Sequence, residues 1–192
     1  MCIRDRGYTN RASSNTFLEN FEEVLEDYDK AIQIKPEMAS IYGNMGMVYR
    51  KMDNLVMAKE FTTTAIELAD DEEIYIFMNN LGLINMDQEN YEEAVTMFNK
   101  IIEKEPNSPV ALNNRGFARI KLKQYDLAKL DISKSISIYP ENSYAFKNKA
   151  ILHFELNQNE YGCQNLEEAE RLGYSKMYGT EVKELMATHC KK

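Results

Sequence analysis

The chain of 192 residues is 44% hydrophobic and 28% charged, the composition of an ordinary globular protein. A formal net charge of -8 speaks against a nucleic-acid binder, which needs a basic stripe to neutralise phosphates, and against docking on an anionic membrane. No apolar run reaches the roughly 18 residues needed to span a bilayer, and the few glycines and prolines (8 and 4) predict a helical protein.

In chain order, Met1–Arg6 reads MCIRDR and matches nothing downstream. From Tyr8 the sequence repeats itself. The block YTNRASSN (Tyr8–Asn15) returns as YGNMGMVY (Tyr42–Tyr49), MNNLGLIN (Met78–Asn85), LNNRGFAR (Leu112–Arg119) and FKNKAILH (Phe146–His153). One asparagine stands in every copy, at Asn10, Asn44, Asn80, Asn114 and Asn148, with spacings of 34, 36, 34 and 34. A second block follows each first one, at Phe21–Pro36, Leu55–Asp70, Tyr91–Pro106, Tyr125–Pro140 and Asn159–Gly173. Its apolar residues recur three and four apart, and proline closes three of the copies, so each unit is predicted to be a helix, a short turn and a second helix. The two extra residues between Asn44 and Asn80 are placed at the acidic turn Asp70–Glu73, where Asp70 replaces the proline. After Gly173 the pattern changes. Gly179 reads as a break and Thr180 as an N-cap. The terminal helix that follows carries Val182, Leu185, Met186 and His189 on one face and is predicted to cover the last apolar surface of the array.

Small residues recur at Ala12, Gly46, Gly82, Gly116 and Ala150 in the first blocks and at Ala58, Ala94, Ala128 and Gly162 in the second, with Val24 the exception. These columns, the 34-residue period and the closing prolines resemble the tetratricopeptide repeat family from about Tyr8 to Gly173. The resemblance implies an all-α fold, a right-handed α-solenoid of about five helix-turn-helix repeats with a C-terminal capping helix. The expected divisions are repeats at 7–38, 39–72, 73–108, 109–142 and 143–173, with the cap at 174–192. The C-terminal stretch also resembles repeat proteins of Bacteroidetes-like bacteria. A nucleotide string ATG-TGT-ATA-AGA-GAC-AG, which would encode the start of MCIRDR, resembles a transposase end sequence from library preparation. Met1–Arg6 is therefore expected to be a non-native scar, with Cys2 part of it and the true N-terminus and any signal peptide missing.

The residue after each ladder asparagine is Arg11, Met45, Leu81, Arg115 or Lys149, and sixteen residues later stand Asp27, Phe61, Met97, Asp131 and Asn165. Arginine goes with aspartate and apolar with apolar, which predicts structural ion pairs Arg11–Asp27 and Arg115–Asp131 between the two helices of a hairpin. The two histidines, His153 and His189, fall in no metal-ligand spacing, and neither a phosphate loop nor a nucleophile elbow is present. No catalysis, cofactor or metal is expected. Cys163 and Cys190 could pair if the cap folds back in an oxidising compartment, or stay as two reduced thiols; spacing leaves both readings open.

The resemblance implies that first helices line a groove for extended peptides or partner segments. Carried over by column, it places Asn44, Asn80, Asn114 and Asn148 there, with Asn79 and Asn113 beside them. A row of asparagines could hold a peptide backbone, since each offers a donor and an acceptor; asparagine could equally be the common residue of this column. The other columns are mainly apolar: Met47, Leu83, Phe117 and Ile151; Ile76, Val110 and Tyr144; Met86, Ile120 and Phe154. Arg50, Lys51, Lys121 and Lys147 are the cations among them. An exposed apolar stripe favours an amphipathic segment over a free carboxylate; the alternative is that these columns are partly buried between neighbouring helices. The expected function is a non-catalytic scaffold whose partner is a protein or peptide, with no nucleic acid and no direct membrane contact. A second reading is the C-terminal assembly or self-association region of a larger sensor, enzyme or lipoprotein.

Overall fold

The computed structural model describes residues 21–190. The block Tyr8–Asn15, Arg11 with its expected partner pairing, and Met1–Arg6 lie outside the described residues. Among the described residues there are eleven α-helices and no strand. They are α1 (Phe21–Ile34), α2 (Ala39–Lys51), α3 (Leu55–Leu68), α4 (Ile74–Asp87), α5 (Tyr91–Lys104), α6 (Pro109–Lys121), α7 (Tyr125–Ile138), α8 (Ser143–Glu155), α9 (Asn159–Arg171), α10 (Tyr174–Tyr178) and α11 (Glu181–His189). The chain divides between Asn90 and Tyr91 into two compact units, one with α1–α4 and one with α5–α11.

The second blocks become α1, α3, α5, α7 and α9, starting at the residues where their amphipathic pattern starts. In α5, the buried Ala94, Phe98 and Ile101 form one stripe, while Glu92 and Glu93 open the helix and Lys104 closes it, matching the signs of the helix dipole. Asn54 and Asn142 cap α3 and α8 by accepting the amides of Met57 and Ala145 at 3.2 Å. Asp70 is the substitute for the missing proline. Its Oδ1 accepts the amides of Glu72 and Glu73, both at 2.9 Å, and these bonds lower its pKa, Glu73 first.

The turns joining α2 to α3, α4 to α5, α6 to α7 and α8 to α9 share one construction. Asp53, Glu89, Lys123 and Asn157 adopt φ of 59°, 61°, 58° and 58°. The next amide reaches back five residues, as Asn54 does to Tyr49 and Gln124 to Arg119, both at 2.9 Å. This is the Schellman ending, which satisfies carbonyls the helix itself leaves open.

In the first unit, Val24, Tyr28 and Ala31 of α1 pack on Ile41, Met45 and Val48 of α2. A Cβ on Gly46 would strike Thr62 Oγ1 and lie 3.0 Å from the carbonyl oxygen of Ala58, so α2 and α3 meet where only glycine fits. The second unit has a core of Ile120, Ala128, Ile132 and Leu152, with Gly116 so close that a Cβ would fall 2.6 Å from Ile132. A further core joins Ala150, Leu166 and Ala169 to Tyr174 and Val182 of the C-terminal segment.

The end of the chain departs from expectation in two ways. Tyr174–Tyr178 forms a short helix between two left-handed glycines, Gly173 (φ 85°) and Gly179 (φ 98°). Thr180 does not cap α11 through a backbone amide; its hydroxyl donates to Glu184 Oε1 at 2.6 Å instead. No helix among the described residues is long and apolar enough to cross a membrane.

Candidate functional site

In the first unit, α2 and α4 carry the expected groove columns. Asn44, Lys51 and Ile76 are exposed, and Met47, Asn79, Asn80, Leu83 and Met86 are half-buried. Arg50 donates from Nε and Nη2 to the two carboxylate oxygens of Asp87, at 2.5 and 3.2 Å, so its charge is taken up within the unit. Asn85 is buried, with an Oδ1 that has no partner.

In the second unit, three expectations need correction. Asn113, Asn114 and Asn148 do not line an open groove. All three are buried, Asn148 completely, and Asn148 Nδ2 donates to Asn113 Oδ1 at 3.1 Å. Asn113 of α6 and Asn148 of α8 face each other across the seam between these helices instead of facing solvent, whereas Asn44 of the same column is exposed. Ile120 is likewise core, packed on Ala128, Ile132 and Leu152. Lys147 is only 2% exposed. Its amine sits 3.2 Å from both carboxylate oxygens of Glu181 on α11 and 4.2 Å from the centre of the Tyr144 ring, with Phe117 at 5.4 Å and Tyr174 at 5.9 Å. The cation is thus caged by aromatic faces and one carboxylate. Tyr144 is drawn into the same cluster, 5.8 Å from Tyr174 and 5.4 Å from Tyr178. Tyr174 donates to Glu181 at 2.7 Å; burial, then this bond, pushes its phenol far above the usual tyrosine range.

The structure brings Arg115 and Asp131 together. Arg115 donates from Nε and Nη2 to the two oxygens of Asp131, at 2.8 and 2.6 Å. Two residues that column pairing did not supply complete the network: Arg119 donates to Asp131 at 2.6 Å, and Asn99 accepts from Arg115 at 2.7 Å. Asp27, the other aspartate of that column, is buried, with Lys30 3.9 Å away.

A cavity of about 470 Å³ opens beside the Lys147 cage. Phe117 and Lys121 of α6 form one wall, Ile151, Phe154 and Glu155 of α8 the second, and Glu181, Leu185 and His189 of α11 the third, with Asn157 at the turn. Lys121 lies 5.4 Å from the Phe117 ring centre, and His189 stacks on Phe154 at 4.3 Å. Cys163 on α9 and Cys190 after α11 are joined as a disulfide, with Cα atoms 5.7 Å apart. Val110 at the start of α6 stays 54% exposed, outside this cavity. Among the described residues, no group of His, Cys, Asp and Glu side chains could hold a metal ion.

Comparison with known proteins agrees with this architecture. Models of the tetratricopeptide repeat match residues 5–38, 39–72, 80–108 and 97–129. The human mitochondrial import receptor subunit TOM70 is 31% identical over 97 residues, half of this chain and 16% of the receptor. The chain therefore spans about a sixth of the length of that relative. A tetratricopeptide repeat protein from Parabacteroides merdae superposes with a TM-score of 0.80 at 21% identity, over 96% of this chain and 70% of the other. YrrB, described as a TPR protein with an unusual peptide-binding site, superposes with a TM-score of 0.63 at 20% identity, over 92% and 90% of the two chains. Helical hairpins in a 34-residue period, small residues at their crossings and matches along more than half of the sequence lead to one conclusion: the chain belongs to the tetratricopeptide repeat family.

Proposed function

We propose that the chain is a non-catalytic scaffold that holds an amphipathic protein segment against its first helices, chiefly in the cavity of the second unit. The observation that carries this reading is the floor of Phe117, Ile151 and Phe154 between Lys121 on one rim and Glu155 on the other. An apolar floor with charges of both signs fits a helix or strand bearing an apolar face and mixed polar edges. A peptide-binding site in YrrB and a receptor role for TOM70 are in keeping with it. Peptides selected from a random display library against the oxidised chain test the proposal. They are expected to lose roughly tenfold in affinity when Ile151→Ser or Phe117→Ala removes part of the floor. Unchanged binding to both variants would sink it.

The reading as an assembly region draws on a different surface. Leu127 and Leu130 on α7 are 45% and 68% exposed. Self-association through that face would appear as a concentration-dependent mass in sedimentation that Leu130→Lys abolishes. A monomer at all concentrations removes this reading.

A further inference from the structure

We propose that the Cys163–Cys190 bond is a redox latch that holds α11 in place as the third wall of the cavity. The inference goes beyond binding to its regulation and rests on the reading of that cavity as the partner site. α11 is only nine residues long, too short to persist as a helix without support. Val182 is its one fully buried side chain, with Leu185 and Met186 half-buried beside it. Its other ties are local. Glu181 holds the first turn to Lys147 and Tyr174, and His189 stacks on Phe154. The Lys183–Glu170 pair, at 3.7 Å, is solvent-screened and adds little. The disulfide pins the opposite end of the helix to α9, so the two ends are fixed by different chemistry: a caged ion pair at Glu181 and a covalent bond at Cys190. Both cysteines are half-buried, which leaves a path for a small reductant.

The exchange is balanced by a dithiol. One of its thiolates attacks a sulfur of the pair, the Cys163–Cys190 bond breaks, and a mixed disulfide forms while the displaced sulfur takes a proton. The second thiol of the reductant resolves the mixed disulfide. The chain gains two electrons and two protons as two thiols, and the reductant leaves as a disulfide. Once free, α11 takes Glu181, Leu185 and His189 out of the cavity wall and uncovers the Lys147 amine.

Lysine acylation by acetyl N-hydroxysuccinimide, followed by mass analysis, reads the latch without any partner. Lys147 is expected to be protected in the oxidised chain and to acylate roughly tenfold faster after dithiothreitol treatment, with exposed Lys129 as the internal standard. Amide exchange across Glu181–His189 should quicken in parallel, while α5–α7 keep their protection. Cys190→Ser should behave as the reduced chain; if that variant folds poorly, reduction of the unmodified chain makes the same comparison. Equal Lys147 acylation and equal exchange in the two redox states overturn the latch, as do two freely alkylated thiols in the air-oxidised protein. The library-selected peptide should bind roughly tenfold more weakly to the reduced chain. If Lys147 is uncovered but peptide affinity does not change, the latch stands and the cavity reading falls.

Discussion

Asp131 accepts from two guanidinium groups at once, so its removal would leave Arg115 and Arg119 facing each other with their charges unbalanced. Asp131→Ala is expected to cost about 3 kcal/mol in urea unfolding, because breaking one partner of a largely buried pair strands the other. Asn148 gives the opposite lesson about side-chain type. Its amide donates to Asn113 while its Oδ1 stays unpartnered. Asn148→Ala should therefore lower stability by only about 1 kcal/mol and leave binding of cavity-selected peptides unchanged, as parallel urea and affinity titrations would show. The Arg115–Asp131 contact was legible in the sequence because opposite charges sixteen residues apart repeat as a pair of columns. Arg119 and Asn99 were not, since they enter the network from a later turn of the same helix and from the preceding helix. The asparagine column misled because one residue type stands exposed at Asn44 and sealed at Asn148. Periodicity assigns a residue to a helix face, but whether that face is covered depends on what packs over it.

At the scale of elements, the Schellman turns were invisible in the sequence because their left-handed column carries no glycine. Asp53 and Asn157 suit that conformation, but Glu89 and Lys123 have side chains that do not. Lys123→Gly is expected to raise stability by about 0.5 kcal/mol, the relief of left-handed strain less the extra chain entropy of glycine, measured by thermal unfolding. The segment from α10 to α11 has a pH dependence of its own. Tyr174 has a raised pKa, so the folded chain retains a proton that the unfolded chain gives up. Its stabilising effect is complete below the ordinary tyrosine value of about 10 and declines as pH rises above it. Protection of the Glu181–His189 amides, taken relative to the hydroxide-catalysed rate of free amides, should fall above about pH 10, and Tyr174→Phe should remove that fall. The existence and spacing of the repeat helices could be read directly, since four or five copies reinforced each apolar column. The short helix Tyr174–Tyr178 belongs to no repeat and had no second copy to reveal it.

For the molecule as a whole, the covalent link closes a separation of 27 residues. In the chain-entropy account, a loop of that size contributes roughly 3.5 kcal/mol to the folded state. Reduction should lower the melting temperature of the unit that begins at Tyr91 and leave amide protection in α1–α4 unchanged, which exchange mass spectrometry resolves region by region. The caged lysine has a further consequence. Lys147 and Glu181 are 34 residues apart, one full repeat, so the cap's carboxylate meets the cation where the next repeat of a longer array would meet it. A chain cut before Tyr174 would present a terminal face of Ala150, Leu166 and Ala169 with an unneutralised ammonium set into it. Filament growth by end-to-end stacking on that face would have to dehydrate the charge, unless the incoming molecule brought a carboxylate in register. In such a shortened chain the bare Lys147 ammonium would disfavour a purely apolar stacking face and favour one that carries a carboxylate.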